Sequence, residues 1–476
     1  MASGNGSDVR VLSRSLVKAS DESIQPHVLP VSNLDLLPQT IQVSLFCIYP
    51  NPPPTANFRD VVAAFTAGLP SLLNYYFPLT GRIVTDPVSG IPEIHCYNQG
   101  AELVVGDAAD VALSSLDYAT VATSIRKVMF PYAADVALSV QVVSFACGGF
   151  TVSWCTNHVV VDGCALSALV SAWAELARSG TWTLPPASWP RHDRSVFRPH
   201  AAPSHCASLD AAFTPLDGER QVNVLTTDES FVGRLYYIDA SDIARLRDAA
   251  SRDGDGEQAT RVQAVSAYLW KALAAVVGDR DARCRMGWWV DGRRRLTSQP
   301  ELRNYVGNVV TFTAAEASVE EINRKPLPEV ASMVRDAIAA PAPASSYDER
   351  FQEIVDWVEE HKGDKKRYIE TVSIGLGSPA VNVTAFSSFA VDTDFGFGHA
   401  AMALPTSSFS ARLCSAFVQI VARPGCDGSW IASAFVWPRL AAALEAGMVF
   451  KPVTTEYLGL RPASAVNLAD MITSKI

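Results

Sequence analysis

The sequence lacks the signatures of several common chemistries. It has no G-x-x-x-x-G-K-[ST] loop to cradle phosphates, no H-E-x-x-H to hold zinc and no G-x-S-x-G elbow to present a serine nucleophile. Its nine cysteines include no C-x-x-C pair, which removes the usual zinc and redox spacings. An odd number of cysteines scattered through apolar runs reads as reduced thiols in a cytoplasmic protein. Charge is sparse: 18% of residues, with 39 Lys+Arg against 49 Asp+Glu and a net charge of −10. That balance argues against a broad surface for nucleic acid or anionic lipid, so a polyanionic ligand would need a local basic pocket. No apolar core follows the N-terminal MASGNGSDVR, so no signal peptide is expected. The most apolar long stretch, Val61 to Thr80, is interrupted by Pro70 and Asn74, and reads as a buried helix instead of a membrane span. The chain ends in Ser-Lys-Ile, one isomer from the Ser-Lys-Leu peroxisomal address, which keeps the peroxisome as a minor alternative location.

What is present is a long, mixed chain. At 476 residues and 48% hydrophobic, it is long enough for two cores, so two domains are expected. Alternation predicts strands over Val9–Leu16, Ile41–Tyr49, Thr151–Thr156, Phe231–Ile238, Met286–Val290, Thr384–Ala390, Ala416–Ala422 and Trp430–Phe435. A loop is expected to end at Leu34-Asp35-Leu36. Helical spacing predicts helices over Phe58–Tyr75, from Leu166 until Gly180 ends the run, and over Ala240–Ser251, Val262–Val277 and Arg350–Glu360. Six prolines between Pro185 and Pro215, with little periodicity, mark residues 185–228 as a linker between a domain at 1–184 and one at 229–476.

The sharpest chemical feature is Asn157-His158-Val159-Val160-Val161-Asp162-Gly163, where a strand gives way to a helix. An imidazole held there suits a general base, since it exchanges a proton near neutral pH. On position alone, a packed, hydrogen-bonded core histidine is the commoner reading. Asp394-Phe395-Gly396-Phe397-Gly398 reads as a tight turn with aromatic anchors, its glycines permitting positive φ. Asp291-Gly292-Arg293-Arg294-Arg295-Leu296 follows an apolar strand, which suggests an arginine buried on a carboxylate. Gly375 to Ala380 gives a loose dinucleotide fingerprint, but strand formers follow where a helix must begin, so it is discarded.

Together these segments resemble the plant BAHD acyltransferases. H-x-x-x-D-G at His158, Asp162 and Gly163, D-F-G-x-G at Asp394 to Gly398, the Asp291 to Leu296 run and Gly307-Asn308 occur in that family's order. Ser32-Asn33-Leu34-Asp35, Phe77 to Arg82 and Ser266 to Lys271 also match, and the likeness spans about Val9 to Phe450. It implies an α/β chain of two chloramphenicol-acetyltransferase-like domains, joined by the crossover loop, with a channel at their interface. It implies an acyl-CoA cosubstrate with no permanently bound cofactor or metal, an alcohol or amine acceptor, and action as a cytoplasmic monomer. His158 would be the base and Asp394 a second active-site residue. Asp162, Gly163, Arg293, Arg295, Gly396, Phe397 and Gly398 would hold the site together, with Asp394 tied to Arg293 or Arg295. Ser266, Asn308, Lys365, Lys366 and Arg367 would bind coenzyme A. Where relatives carry tryptophan, this chain has Phe397 and Phe386, so Thr384 or a backbone N–H must serve any oxyanion. Clustering of Phe386, Phe389 and Phe397 points to an aromatic acyl group. A non-catalytic family member acting as a partner protein is the alternative. Condensation domains share the histidine motif but carry a second histidine where Asn157 stands.

Overall fold

A computed structural model of the protein describes residues 9–38, 41–50, 57–118, 121–215, 231–251, 258–339, 344–364, 368–372, 375, 378–389, 393–407, 414–425 and 427–460. The mixed α/β expectation is met by two large sheets. The first has six strands in the spatial order Arg10–Val17, Ala101–Ala108, Leu138–Phe145, Phe150–Asn157, Gln42–Tyr49 and Met402–Ser407. The second has seven, in the order Val310–Ser318, Arg283–Asp291, Ala380–Ala385, Ala416–Ala422, Trp430–Val436, Val232–Ile238 and Lys451–Pro452. Met402–Ser407 pairs antiparallel with Gln42–Tyr49. A strand from the last fifth of the sequence thus sits in the N-terminal sheet, which boundaries drawn along the chain do not capture.

Each sheet buries one face beneath helices. Helices Phe58–Tyr75 and Gly163–Ser179 cover the first sheet through a core that includes Phe65, Leu69, Leu166, Val170 and Trp173. The second helix begins where Asp162 caps it, its carboxylate accepting from the Ala165 N–H at 2.9 Å. It ends at Gly180, whose φ of 68° is the left-handed conformation glycine adopts without a Cβ clash. Helix Arg261–Val277 lies on the second sheet through Val265, Leu269, Trp270 and Leu273. A third apolar cluster joins the halves, bringing Phe46, Ile48 and Leu404 of the first sheet against Leu235, Val421 and Ile431 of the second. Among the described residues, no helix is long and apolar enough to cross a membrane.

The described part of the Pro-rich crossover is anchored on both sides. His192 Nε2 meets the Tyr75 carbonyl at 2.8 Å beside the first core. Further along, the fully buried Asp356 of helix Tyr347–His361 accepts from His200 and Ser204. Two expectations are corrected. The loop at Leu34-Asp35-Leu36 is a short helix, Asn33–Leu36, because Ser32 and Asp35 cap it reciprocally. The strand expected over Thr384–Ala390 is Ala380–Ala385; the chain leaves the sheet at Phe386.

Candidate active site

The two sheets enclose a cavity of about 1440 Å³ that is lined from both halves. His158 stands on its wall, one residue past the strand Phe150–Asn157, with its N–H bonded to the Ile41 carbonyl at 2.8 Å. The orientation of its ring follows from a chain of contacts. Asn308 Nδ2 donates to Asp35 Oδ1 and to the His158 carbonyl, each at 2.8 Å. Both partners only accept, so the amide nitrogen must lie on that side and Oδ1 on the other. Asn308 Oδ1 is 3.0 Å from His158 Nδ1, which must therefore carry the proton. In the neutral ring the lone pair then lies on Nε2, which has no protein partner among the described residues. A neutral imidazole with a fixed tautomer and an open Nε2 in a cavity is the arrangement a general base requires.

Asp35 anchors that chain. Its carboxylate is fully buried and accepts from Ser32 Oγ, from the Ser32 and Asn308 N–H groups, and from Arg194 Nη1 at 3.4 Å. Arg194 comes from the crossover, and its Nη2 donates to the Val160 carbonyl inside the histidine loop at 2.9 Å. Burial alone would pull this guanidinium's pKa down; Asp35, Tyr305 and Asp162 outweigh it and raise it.

Asp162 turns away from the histidine. Besides capping its helix, it binds Arg293 through both oxygens, at 2.7 and 3.1 Å, and accepts from the Val309 N–H at 3.1 Å. Arg293 also reaches Asp291 at 2.7 Å and the carbonyls of Tyr305 and Gly307. These charged contacts overcome its burial and push its pKa further up. Asp291 is pushed the other way from most carboxylates: burial raises it despite Arg293. The buried Asp162–Arg293 pair thus locks the 157–163 loop to segment 305–309. Gly163 is required by contact: a Cβ there would lie 2.0 Å from Cε1 of Phe386.

Several expected roles fall elsewhere. Asp394 is tied to neither Arg293 nor Arg295. Its Oδ1 accepts from the N–H groups of Gly396 and Gly398 at 2.9 and 3.0 Å, while Arg293 is taken up as above and Arg295 lies over Tyr347 and bonds the Ile338 carbonyl. Asp394 is also absent from the cavity wall. Gly396 and Gly398 have φ of 96° and 85°, so the turn needs both glycines. Phe395 plugs the first core against Phe65 and Trp154, and Phe397 packs on Phe150, away from Phe386 and Phe389. The turn therefore delivers strand Met402–Ser407 to the first sheet. Ser266 is fully buried, accepts from Trp288 Nε1 at 3.0 Å and does not reach the cavity. Asn308 holds the histidine. Lys365, Lys366 and Arg367 lie outside the described residues. The Phe386 N–H is spent on the Ile420 carbonyl at 2.7 Å, which leaves Thr384 facing the cavity.

Sequence reasoning missed Asp35 and Arg194 and misread Asn308. Asp35 stood within a matched opening segment but with no role, and an arginine in a proline-rich linker gives no local sign of burial.

The sequence matches the model of the Transferase family over residues 7–433. The chain belongs to the BAHD acyltransferase family. It is 28% identical over 327 residues to the omega-hydroxypalmitate O-feruloyl transferase of Arabidopsis thaliana, covering 65% of this chain and 68% of that one. It is 27% identical over 347 residues to putrescine hydroxycinnamoyltransferase 3 of Oryza sativa subsp. japonica, covering 70% and 75%. Among solved structures, vinorine synthase superposes with a TM-score of 0.66 at 19% identity, over 93% of this chain and 99% of that one. TRI101 of F. graminearum, complexed with ethyl coenzyme A, gives 0.70 at 16% identity, over 89% and 97%. At those identities the two structures establish the shared fold.

Proposed function

We propose that this BAHD protein is an acyl-CoA-dependent acyltransferase acting on a hydroxyl or amine of a small acceptor, with His158 as general base. The observation that carries the reading is the Asp35–Asn308–His158 chain, which places the proton on Nδ1 and leaves Nε2 basic inside the cavity. His158 Nε2 takes the acceptor proton as its oxygen or nitrogen attacks the thioester carbonyl. The tetrahedral adduct collapses, the C–S bond breaks, and the thiolate leaves with the proton returned by His158. No acyl-enzyme is needed. Thr384 supports the oxyanion, since the side chain of Phe386 has no N–H.

Arg294, exposed on the cavity wall with no carboxylate partner among the described residues, supplies positive charge for the phosphates of coenzyme A. The donor reading is a hydroxycinnamoyl or related aromatic acyl group. Relatives named for feruloyl, caffeoyl, coumaroyl and hydroxycinnamoyl transfer share that acyl class while their named acceptors run from fatty alcohols to polyamines. The eight described cysteines are free thiols, in keeping with a cytoplasmic enzyme.

The test is thiol release by wild type and His158→Ala across acyl-CoA donors and pooled acceptors. Acceptor-dependent release that disappears in the variant is expected. Release that survives His158→Ala would overturn the base assignment, and folded wild type inert toward every pair would favour a non-catalytic role.

A further inference from the structure

The cavity floor is one face of the seven-stranded sheet, and strand alternation sorts its side chains. Along Ala416–Ala422, Ala416, Val418 and Ile420 enter the core beneath helix Arg261–Val277, which turns Phe417 and Gln419 toward the cavity. Register carries this face sideways. Gln419 stands beside Thr384 on one neighbouring strand and Ser433 on the other, and Thr384 stands beside Trp289. One step along, Phe417 stands beside Phe435. All six residues line the cavity. A polar row, Thr384–Gln419–Ser433, thus crosses three adjacent strands, ended by an indole and bordered by two phenyl rings.

The row differs from several other polar groups of the wall. Gln42, Ser44, Ser167, Gln263 and Thr406 are each hydrogen-bonded within the protein. Among the described residues, none of the Thr384, Gln419 and Ser433 side chains has such a partner, although all three are half-buried. Half-buried hydroxyl and amide groups on an otherwise apolar floor are satisfied by water or by a ligand. Strands lie about 4.8 Å apart, so Ser433 stands about 10 Å from Thr384. Thr384 is the reacting end of the row, because two residues on, Phe386 rests on Gly163 beside the histidine loop. From there the row leads away from His158, over a length comparable to a phenylpropenoyl group from its carbonyl to its para oxygen.

We propose that Gln419 and Ser433 form a subsite that selects acyl groups with a hydroxylated aromatic ring, the ring packing against Phe417, Phe435 and Trp289. The inference rests on the acyl-CoA transferase reading. A carboxamide and a hydroxyl each donate and accept, as a phenol does, so both hydrogen-bonding capacities of a ring hydroxyl are met. A ring without the hydroxyl leaves Gln419 and Ser433 without a partner.

The experiment compares kcat/KM for 4-hydroxycinnamoyl-CoA and cinnamoyl-CoA, which differ by one oxygen, at a fixed acceptor. Wild type is expected to favour the hydroxylated donor by about tenfold, the worth of one or two neutral hydrogen bonds. Gln419→Leu should bring the ratio close to one, the hydroxylated donor losing its partner while the cinnamoyl value holds or rises because no amide is left unpaired, and an unchanged urea midpoint certifies the fold. Ser433→Ala should reduce the ratio in part. A wild-type ratio near one, or one unmoved by Gln419→Leu, overturns the proposal. So does a change confined to the KM of a hydroxylated acceptor, which would give the row to the other substrate. Consumption of acetyl-CoA alone, lost in His158→Ala, would remove this subsite and leave the transferase intact; no turnover of any thioester would remove both.

Discussion

Replacing Asn308 by alanine separates the base from its anchor without touching the histidine. Three hydrogen bonds disappear: the one accepted from His158 Nδ1, and those given to the His158 carbonyl and the Asp35 carboxylate. A bond to a charged group contributes about 1.5–3 kcal/mol and a neutral one about 0.5–1.5, so the gross loss is roughly 2.5–6 kcal/mol. Water entering from the cavity recovers part of it, and Asp35 keeps Arg194, Ser32 and the residue 308 N–H. A net loss of about 2–3 kcal/mol in urea denaturation is expected, with the protein still folded. The catalytic effect has a different origin. A bond of about 1 kcal/mol biases the imidazole tautomer roughly fivefold, and freedom of the ring to swing costs a further factor through misalignment. Together they predict a fall in kcat of about ten- to a hundredfold, below the ceiling of about 10² to 10⁴ for general-base catalysis itself. KM for the thioester should stay within about twofold, because Asn308 is spent on protein groups. Steady-state kinetics of the folded variant decide the matter. A kcat within twofold of wild type would show that His158 needs no tautomer control, and a rise in KM at constant kcat would assign Asn308 to substrate binding.

Gly163→Ala places a Cβ into Phe386 and should cost about 1–3 kcal/mol and part of kcat; adding Phe386→Leu should restore some of both, and no recovery would locate the strain elsewhere. Arg293→Met strips the buried Asp162 and the half-buried Asp291 of their partner and is expected to cost about 3–5 kcal/mol in denaturation, with Arg293→Lys failing to rescue it because an ammonium cannot bridge both oxygens of Asp162 and the carbonyls of Tyr305 and Gly307. Burial lowers His192 to about 4, mitigated only in part by the Tyr75 carbonyl. The unfolded state therefore takes up this proton first as pH falls through about 6.5, and stability declines by up to about 1.4 kcal/mol per pH unit until the folded ring titrates near 4. Urea midpoints at pH 7.5, 6 and 5 should fall less steeply for His192→Gln than for wild type, and parallel lines would refute the assignment.

What was legible in the sequence is what strand and helix periodicity or a contiguous motif encodes. The strand ending at Asn157, the helix closed by Gly180 and the glycine-dependent turn at Asp394 are local events, decided by residues within a few positions of one another. The candidate site is not local. Its base is oriented by an asparagine 150 positions away, which is held by an aspartate 273 positions from it, and that aspartate is charge-paired with an arginine from the linker. No periodicity links such residues, so the sequence alone gives Asp35 no role, hides Arg194 and points Asn308 toward coenzyme A. Asp394 failed for the opposite reason. A carboxylate and an arginine run in one sequence invite pairing, but Arg293 is surrounded by closer acceptors at Asp162 and Asp291, while Asp394 Oδ1 accepts from the Gly396 and Gly398 N–H groups of its own turn and Arg178 donates to the Asp394 carbonyl. The crossover is where these cases meet. Its prolines mark it as a linker, yet Arg194 carries it to the back of the histidine loop and His200 fastens it to Asp356 on the far domain. A segment whose composition signals only separation therefore joins the Asp162–Arg293 pair and the shared apolar cluster in holding the two halves together around His158.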